Sequence, residues 1–167
     1  MPNREYWLRG PVDGVIPFLQ PVAHALLQVR DDVAGAIAPL STAQLWRRPG
    51  EAASVGFHVK HLAGSLDRLL TYARGDQLTP GQVTALKAEA VAGEPADVPT
   101  LTTLLEHRID SALAQVRGTS EAELLVERRV GRQGLPSNTL GLLFHAAEHA
   151  TRHAGQIITT AMIVSRS

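Results

Sequence analysis

Apolar residues recur along this chain at steps of three and four. Leu19, Val22, Leu26, Val29, Val33, Ala36 and Leu40 form one such stripe and predict a long helix over about 14–39. The segment "RRPGEAAS" interrupts it, with Pro49 and Gly50 as breakers. A second stripe, Val55, Val59, Leu62, Leu66, Leu69 and Ala73, predicts a helix over about 53–74, closed by Gly75. "TPGQVTALKAEA" predicts a shorter helix after a turn at Pro80-Gly81, and "GEPADVP" a loop. Leu101, Leu105, Ala112 and Val116 mark the inner face of a helix over about 100–117, which Gly118 ends. "TSEAEL" fits a single turn, and "VERRVGRQGLPS" reads as an irregular connection. Leu143, Ala147, Ala150, Ala154, Ile157, Ala161 and Val164 mark a last helix from about Asn138 to Val164.

No segment alternates with a period of two. The expected fold is therefore all-α: a four-helix bundle with one short additional helix, formed by residues 1–167 as a single domain. At 167 residues and 44% apolar composition, the chain can bury one sizeable core. No internal repeat points to a solenoid.

Composition narrows the chemistry. There is no cysteine, so disulfides, thiolate metal sites and a cysteine nucleophile are excluded. Any metal must be held by histidine, carboxylate or water. Lysine plus arginine equals aspartate plus glutamate at 16 each, which leaves no basic excess for a phosphate backbone. The N-terminal "MPNREYWLRG" lacks the apolar core of a signal peptide. No run reaches the roughly 18 apolar residues of a membrane span. The expectation is a cytoplasmic protein that acts on neither nucleic acid nor membrane.

The histidines change the picture most. Three of the seven, His145, His149 and His153, recur every fourth residue in the last helix. At about 100° per residue, His149 and His153 lie about 40° apart, at the border of the buried arc. An i, i+4 histidine pair can offer two imidazoles to one ion, although a lone pair of this kind is weak evidence. The second helix supplies more. His61, Ser65, Arg68 and Tyr72 form a polar stripe beside the apolar one, with His58 between the two stripes. Facing helices of a bundle build sites in this way, and three imidazoles plus water suit a catalytic divalent ion. Periodicity does not choose between His58 and His61. His145 or a loop carboxylate stands as a fourth ligand. Arg68 is equally well explained by a salt bridge, and Tyr72 by core packing with its hydroxyl at the rim. Ser65 and Gly155 both fit close helix approach.

"SVGFHVKHLAG" followed by "HAAEHATRHAGQ" resembles the DinB-like, or damage-inducible, superfamily of metalloenzymes, over most of the chain. That family's last motif usually carries a basic residue where this chain has Ala154. The resemblance implies a four-helix bundle in which His61 joins His149 and His153 around zinc, nickel or a related divalent ion. It implies a thiol S-transferase, an isomerase or a related metal-assisted transferase or hydrolase. The substrate would be a small molecule, with a low-molecular-weight thiol as partner and Arg68 or Tyr72 orienting the electrophile. The alternative is a non-catalytic metal-binding bundle, a sensor or a homodimeric interaction module. An open coordination position would separate the two. The charge balance gives a first test: a gel shift at micromolar protein and physiological salt should detect no binding to duplex DNA.

Overall fold

The computed structural model describes residues 4–89 and 96–166. Four long helices make the bundle: α1 (Gln20–Ile37), α3 (Val55–Ala73), α5 (Val98–Gly118) and α6 (Thr139–Val164). Two short helices, α2 (Thr42–Trp46) and α4 (Pro80–Glu89), lie between them. A two-stranded antiparallel hairpin, β1 (Glu127–Val130) and β2 (Leu135–Asn138), precedes α6. α3 packs on α6 and α5, and α1 packs on the same two helices, so the four close a ring around the core. The expected all-α four-helix bundle is the observed architecture, with two short helices and the hairpin in place of a single short extra helix. The short helix of "TPGQVTALKAEA" is α4, although Ala90 lies outside the described residues, as do the first three residues of the "GEPADVP" loop.

The stripes read from sequence are the buried faces, except that Ala36 and Leu69 are only partly buried. Val22, Leu26, Val29 and Val33 on α1, Val55, Val59, Leu62 and Leu66 on α3, and Leu101, Leu105 and Val116 on α5 are all almost fully buried. Five of the twelve buried residues of α6 are alanine: Ala146, Ala147, Ala150, Ala154 and Ala161. Small side chains there let α1 and α3 come close to α6. Among the described residues, no helix is long and apolar enough to cross a membrane.

Helix ends carry local signals. Ser54, Asp97 and Asn138 cap α3, α5 and α6, each accepting from the backbone N–H three residues on. Thr79 and Gln82 form a reciprocal pair at the start of α4, ahead of Pro80. Gly75, at φ +88°, ends α3 as expected. Its N–H bonds Tyr72 O and the Asp76 N–H bonds Thr71 O, which satisfies two terminal carbonyls.

Three features differ from the sequence expectation. The first helix begins at Gln20 and not near 14, because Gly14 takes φ +75° and a 3-10 turn spans Pro17–Leu19. The Gln20 side chain ties this entry together by bonding Val12 N, Val12 O and Val15 O. Secondly, α2 occupies the region read as a break, opened by a Ser41–Gln44 capping box and anchored by buried Leu45. Thirdly, the connection read as irregular is the β1–β2 hairpin, turned by Gly131 and Gly134 at positive φ. Its strands are largely exposed, so no apolar alternation announces them. "TSEAEL" contains the expected turn, at Glu121–Glu123.

Trp46 lies against α3 at Gly56, its indole N–H bonded to Ala96 O at 2.8 Å. A Cβ at Gly56 would stand 2.8–2.9 Å from that ring. Gly155 is different: a Cβ there meets nothing within 4 Å, so it makes no close helix approach. Gly56→Ala should therefore cost about 1–3 kcal/mol by overpacking. Gly155→Ala should be neutral or stabilise by up to about 1 kcal/mol through helix propensity. Urea denaturation of both variants checks the contrast.

Candidate metal centre

Three imidazoles meet where α3 packs on α6. One ring nitrogen from each of His61, His149 and His153 lies within 4.8 Å of the other two. His61 Nε2 and His149 Nε2 are 3.3 Å apart. Ligands of a tetrahedral ion at 2.0–2.1 Å stand about 3.3–3.4 Å from one another, so this spacing suits a single divalent ion. His149 and His153 come from adjacent turns of α6, while His61 reaches them from α3. The structure thus brings together the three histidines that the family resemblance implied. Among the described residues, no fourth histidine, aspartate or glutamate joins the group. His153 is buried, while the His61 side chain keeps 25% of its exposure, so the cluster sits at the edge of the core with one side toward solvent.

The other candidates fall into distinct places. His58 is buried, and its Nδ1 shares a 3.1 Å hydrogen bond with His153 Nδ1, one ring donating and the other accepting. His145 is exposed and pairs with Glu148, which also pairs with Arg152 on the outer face of α6. Ser65 turns back to its own helix, donating to Leu62 O. Arg68 commits its guanidinium to Glu89, with Nη1 at 2.6 Å from Oε1 and Nη2 at 3.4 Å from Oε2. Tyr72 stands 11 residues after His61 on α3, about 16 Å along the axis at 1.5 Å per residue. It lines a separate cavity with Leu78, Pro80, Val83 and Arg132. The structure thus brings Arg68 to the histidines through Glu89 and does not bring Tyr72 there.

Glu89, the last residue of α4, was not singled out by sequence reasoning. Its Oε2 lies 2.8 Å from His61 Nδ1, and its side chain is only 10% exposed. Nothing in its own segment marks it, because α4 buries no residue and has no apolar face. Its signal lies in Gly64 on α3, where a Cβ would overlap Glu89 Oε1 and stand 2.8 Å from Arg68 Nη1.

Burial and crowding set the protonation states. Desolvation, followed by the nearby His149, His61 and His58 rings, pushes the His153 pKa down to about 4. Desolvation first and then His61 lower His58 as well. His149 is lowered by desolvation, then by His61, His145 and Arg152. These rings are neutral at pH 7, the form that binds metal.

Fold and site together define a helical bundle bearing a three-histidine cluster of metal-binding dimensions. The chain belongs to the DinB superfamily, whose family model matches residues 25–157 and so includes all three histidines. A conserved protein from Enterococcus faecalis, known from its crystal structure, has the same fold. The two superpose with a TM-score of 0.71 over 89% of this chain and 98% of that one, at 16% sequence identity. No curated protein matches the chain.

The lowered histidine pKa values fix the sign of a pH effect. In the metal-free protein, the unfolded chain protonates these imidazoles near pH 6.5 while folded His153 resists until about pH 4. Stability is then full above about pH 6.5 and falls as pH drops toward 4. Urea midpoints measured in excess chelator between pH 4 and 7.5 should rise with pH, and His153→Phe should flatten the slope.

Proposed function

We propose that this protein is a divalent-metal-dependent enzyme in which His61, His149 and His153 hold zinc, nickel or a similar ion. The reaction class is S-transfer from a small thiol, or a related metal-assisted transfer or hydrolysis. The observation that carries the reading is a three-imidazole group with no fourth protein ligand among the described residues, set at a partly exposed edge of the core. Structural zinc sites use four protein ligands, whereas catalytic sites leave a position for water or substrate. When bound, a divalent ion supplies Lewis acidity that lowers the pKa of a thiol or water at that position.

The chain's own residues have separable tasks. Burial keeps His153 neutral and so able to bind without first losing a proton. For His153 to offer Nε2, its Nδ1 must donate to His58, which casts His58 as a neighbour that orients a ligand. Arg68 acts on Glu89 in this reading, and not directly on the electrophile. The apolar walls of the bundle keep bulk water from the inner side of the cluster.

Metal content of protein purified without an affinity tag tests the assignment. Alanine at His61, His149 or His153 should weaken zinc by on the order of 100-fold or more, since two imidazoles make a poor site. Alanine at His24, which bonds Gly10 O, or at His107 on α5 should leave metal content unchanged. Equal metal content in all five variants would refute the site. Thiol-dependent consumption of an alkylating electrophile by the zinc-loaded protein, lost in the His149 variant, would distinguish an enzyme from a metal-binding module.

A further inference from the structure

Glu89 connects the histidine cluster to a helix that has little other reason to be where it is. α4 buries no residue, yet it lies along α3. Polar clips hold it at two levels. Near its start, Gln82 Nε2 donates to Asp67 Oδ2 at 2.9 Å and to Thr71 Oγ1 at 2.8 Å. At its end, Glu89 accepts from Arg68 and from His61 Nδ1. The second clip fits only because position 64 is glycine, as any Cβ there would occupy the space of the carboxylate.

A neutral imidazole has one N–H and one lone pair. A metal ligand must carry its proton on the nitrogen that faces away from the ion. His61 points Nε2 at His149 and Nδ1 at Glu89. The carboxylate accepts the Nδ1 proton, which leaves the Nε2 lone pair in the cluster. Arg68 holds the carboxylate in place and balances its charge. Without Glu89, His61 can place its proton on Nε2 or rotate, and either change removes a lone pair from the group.

We infer that Glu89, seated by Gly64 and Arg68, is a positioning residue that selects the metal-binding tautomer of His61, and that metal binding and the docking of α4 are therefore coupled. The inference rests on the three-histidine metal reading. Coupling is reciprocal: whatever factor the Glu89 contact adds to metal affinity, the metal adds to that contact. Hydrogen-bond partners of ligating histidines typically change metal affinity by about 10–100-fold.

The test titrates zinc against a competing chromophoric chelator at pH 7.5, using the full-length chain. Glu89→Ala should weaken zinc by about 10–100-fold. Gly64→Ala removes no polar group and favours the helix, yet should weaken zinc to a similar degree by displacing the carboxylate. The double variant should be no more than about twofold weaker than the weaker single variant, since both remove one contact. Glu89→Gln retains an acceptor oxygen for Nδ1–H and should lie nearer wild type than Glu89→Ala. Hydrogen exchange supplies a readout independent of affinity: zinc should slow exchange of the α4 amides in wild type and not in Glu89→Ala. Wild-type zinc affinity in either single alanine variant would overturn the inference, as would equal weakening by Glu89→Gln and Glu89→Ala. Those outcomes leave the metal site standing. A wild-type protein that takes up neither zinc, nickel nor another divalent transition-metal ion would remove the metal reading itself, and the inference with it.

Discussion

The packing of α3 on α6 is the contact on which the rest of this molecule depends. It joins residues 88 positions apart at His61–His149 and 95 apart at His58–His153. Neither helix holds the site alone. α6 can offer two imidazoles from successive turns, but two ligands do not make a strong site. Bringing the third within range requires a short separation between the helices, and the alanine-rich buried face of α6 permits it. Val59 and Leu62 on α3 flank His58 and His61 in sequence and are fully buried. The apolar stripe that drives folding therefore also sets the height of the histidines along the bundle. Core packing and site geometry share one constraint, and a cavity opened in this interface would disturb both.

Much of this was legible because it follows from periodicity. The four long helices, their buried faces and the inward histidines all lie on stripes with a 3.6-residue repeat, and a stripe can be read without knowing its partner. The elements that escaped reading have no stripe. The hairpin strands are four residues long and mostly exposed, so they bury too little to impose alternation. α2 is five residues long, shorter than two helical turns. The start of α1 is fixed by the Gln20 side chain reaching back to Val12 and Val15, a tertiary arrangement that apolar spacing does not encode. His61 and His58 could not be separated on periodicity either. The structure separates them: His61 meets Glu89 through Nδ1 and His149 through Nε2, while His58 Nδ1 meets His153.

Glu89 is the instructive omission. A carboxylate at the end of a short polar helix is one of many in any soluble protein, and its partner lies 28 residues earlier. What distinguishes it is the absence of a side chain elsewhere, at Gly64. A glycine in the interior of a helix costs about 1 kcal/mol relative to alanine, so it asks for a reason. In Gly64 the reason is close approach by a charged side chain. Gly56, in the first turn of α3, has the Trp46 indole against it instead. Gly155 has no such neighbour, although all three look alike in sequence. Only the space around each one separates them.

The charge balance of the cluster bears on what the site would accept. Arg68 and Glu89 pair and offset each other, and the buried imidazoles are neutral at pH 7. A divalent ion would therefore bring close to two uncompensated positive charges to a region that is partly shielded from water. Among the described residues, no carboxylate joins the three imidazoles to reduce that charge. Glu148 is on the outer face of α6, engaged with Arg152 and His145. Burying uncompensated charge is costly, and the cheapest relief is an anion at the open position. In the proposed reading a thiolate or hydroxide would be that anion. A carboxylate ligand in the same place would have supplied that charge in advance and left less drive toward ionisation. Under the proposed reading, three neutral imidazoles that bring no negative charge of their own would favour an anionic group at the open position, and they are the same imidazoles that burial keeps neutral.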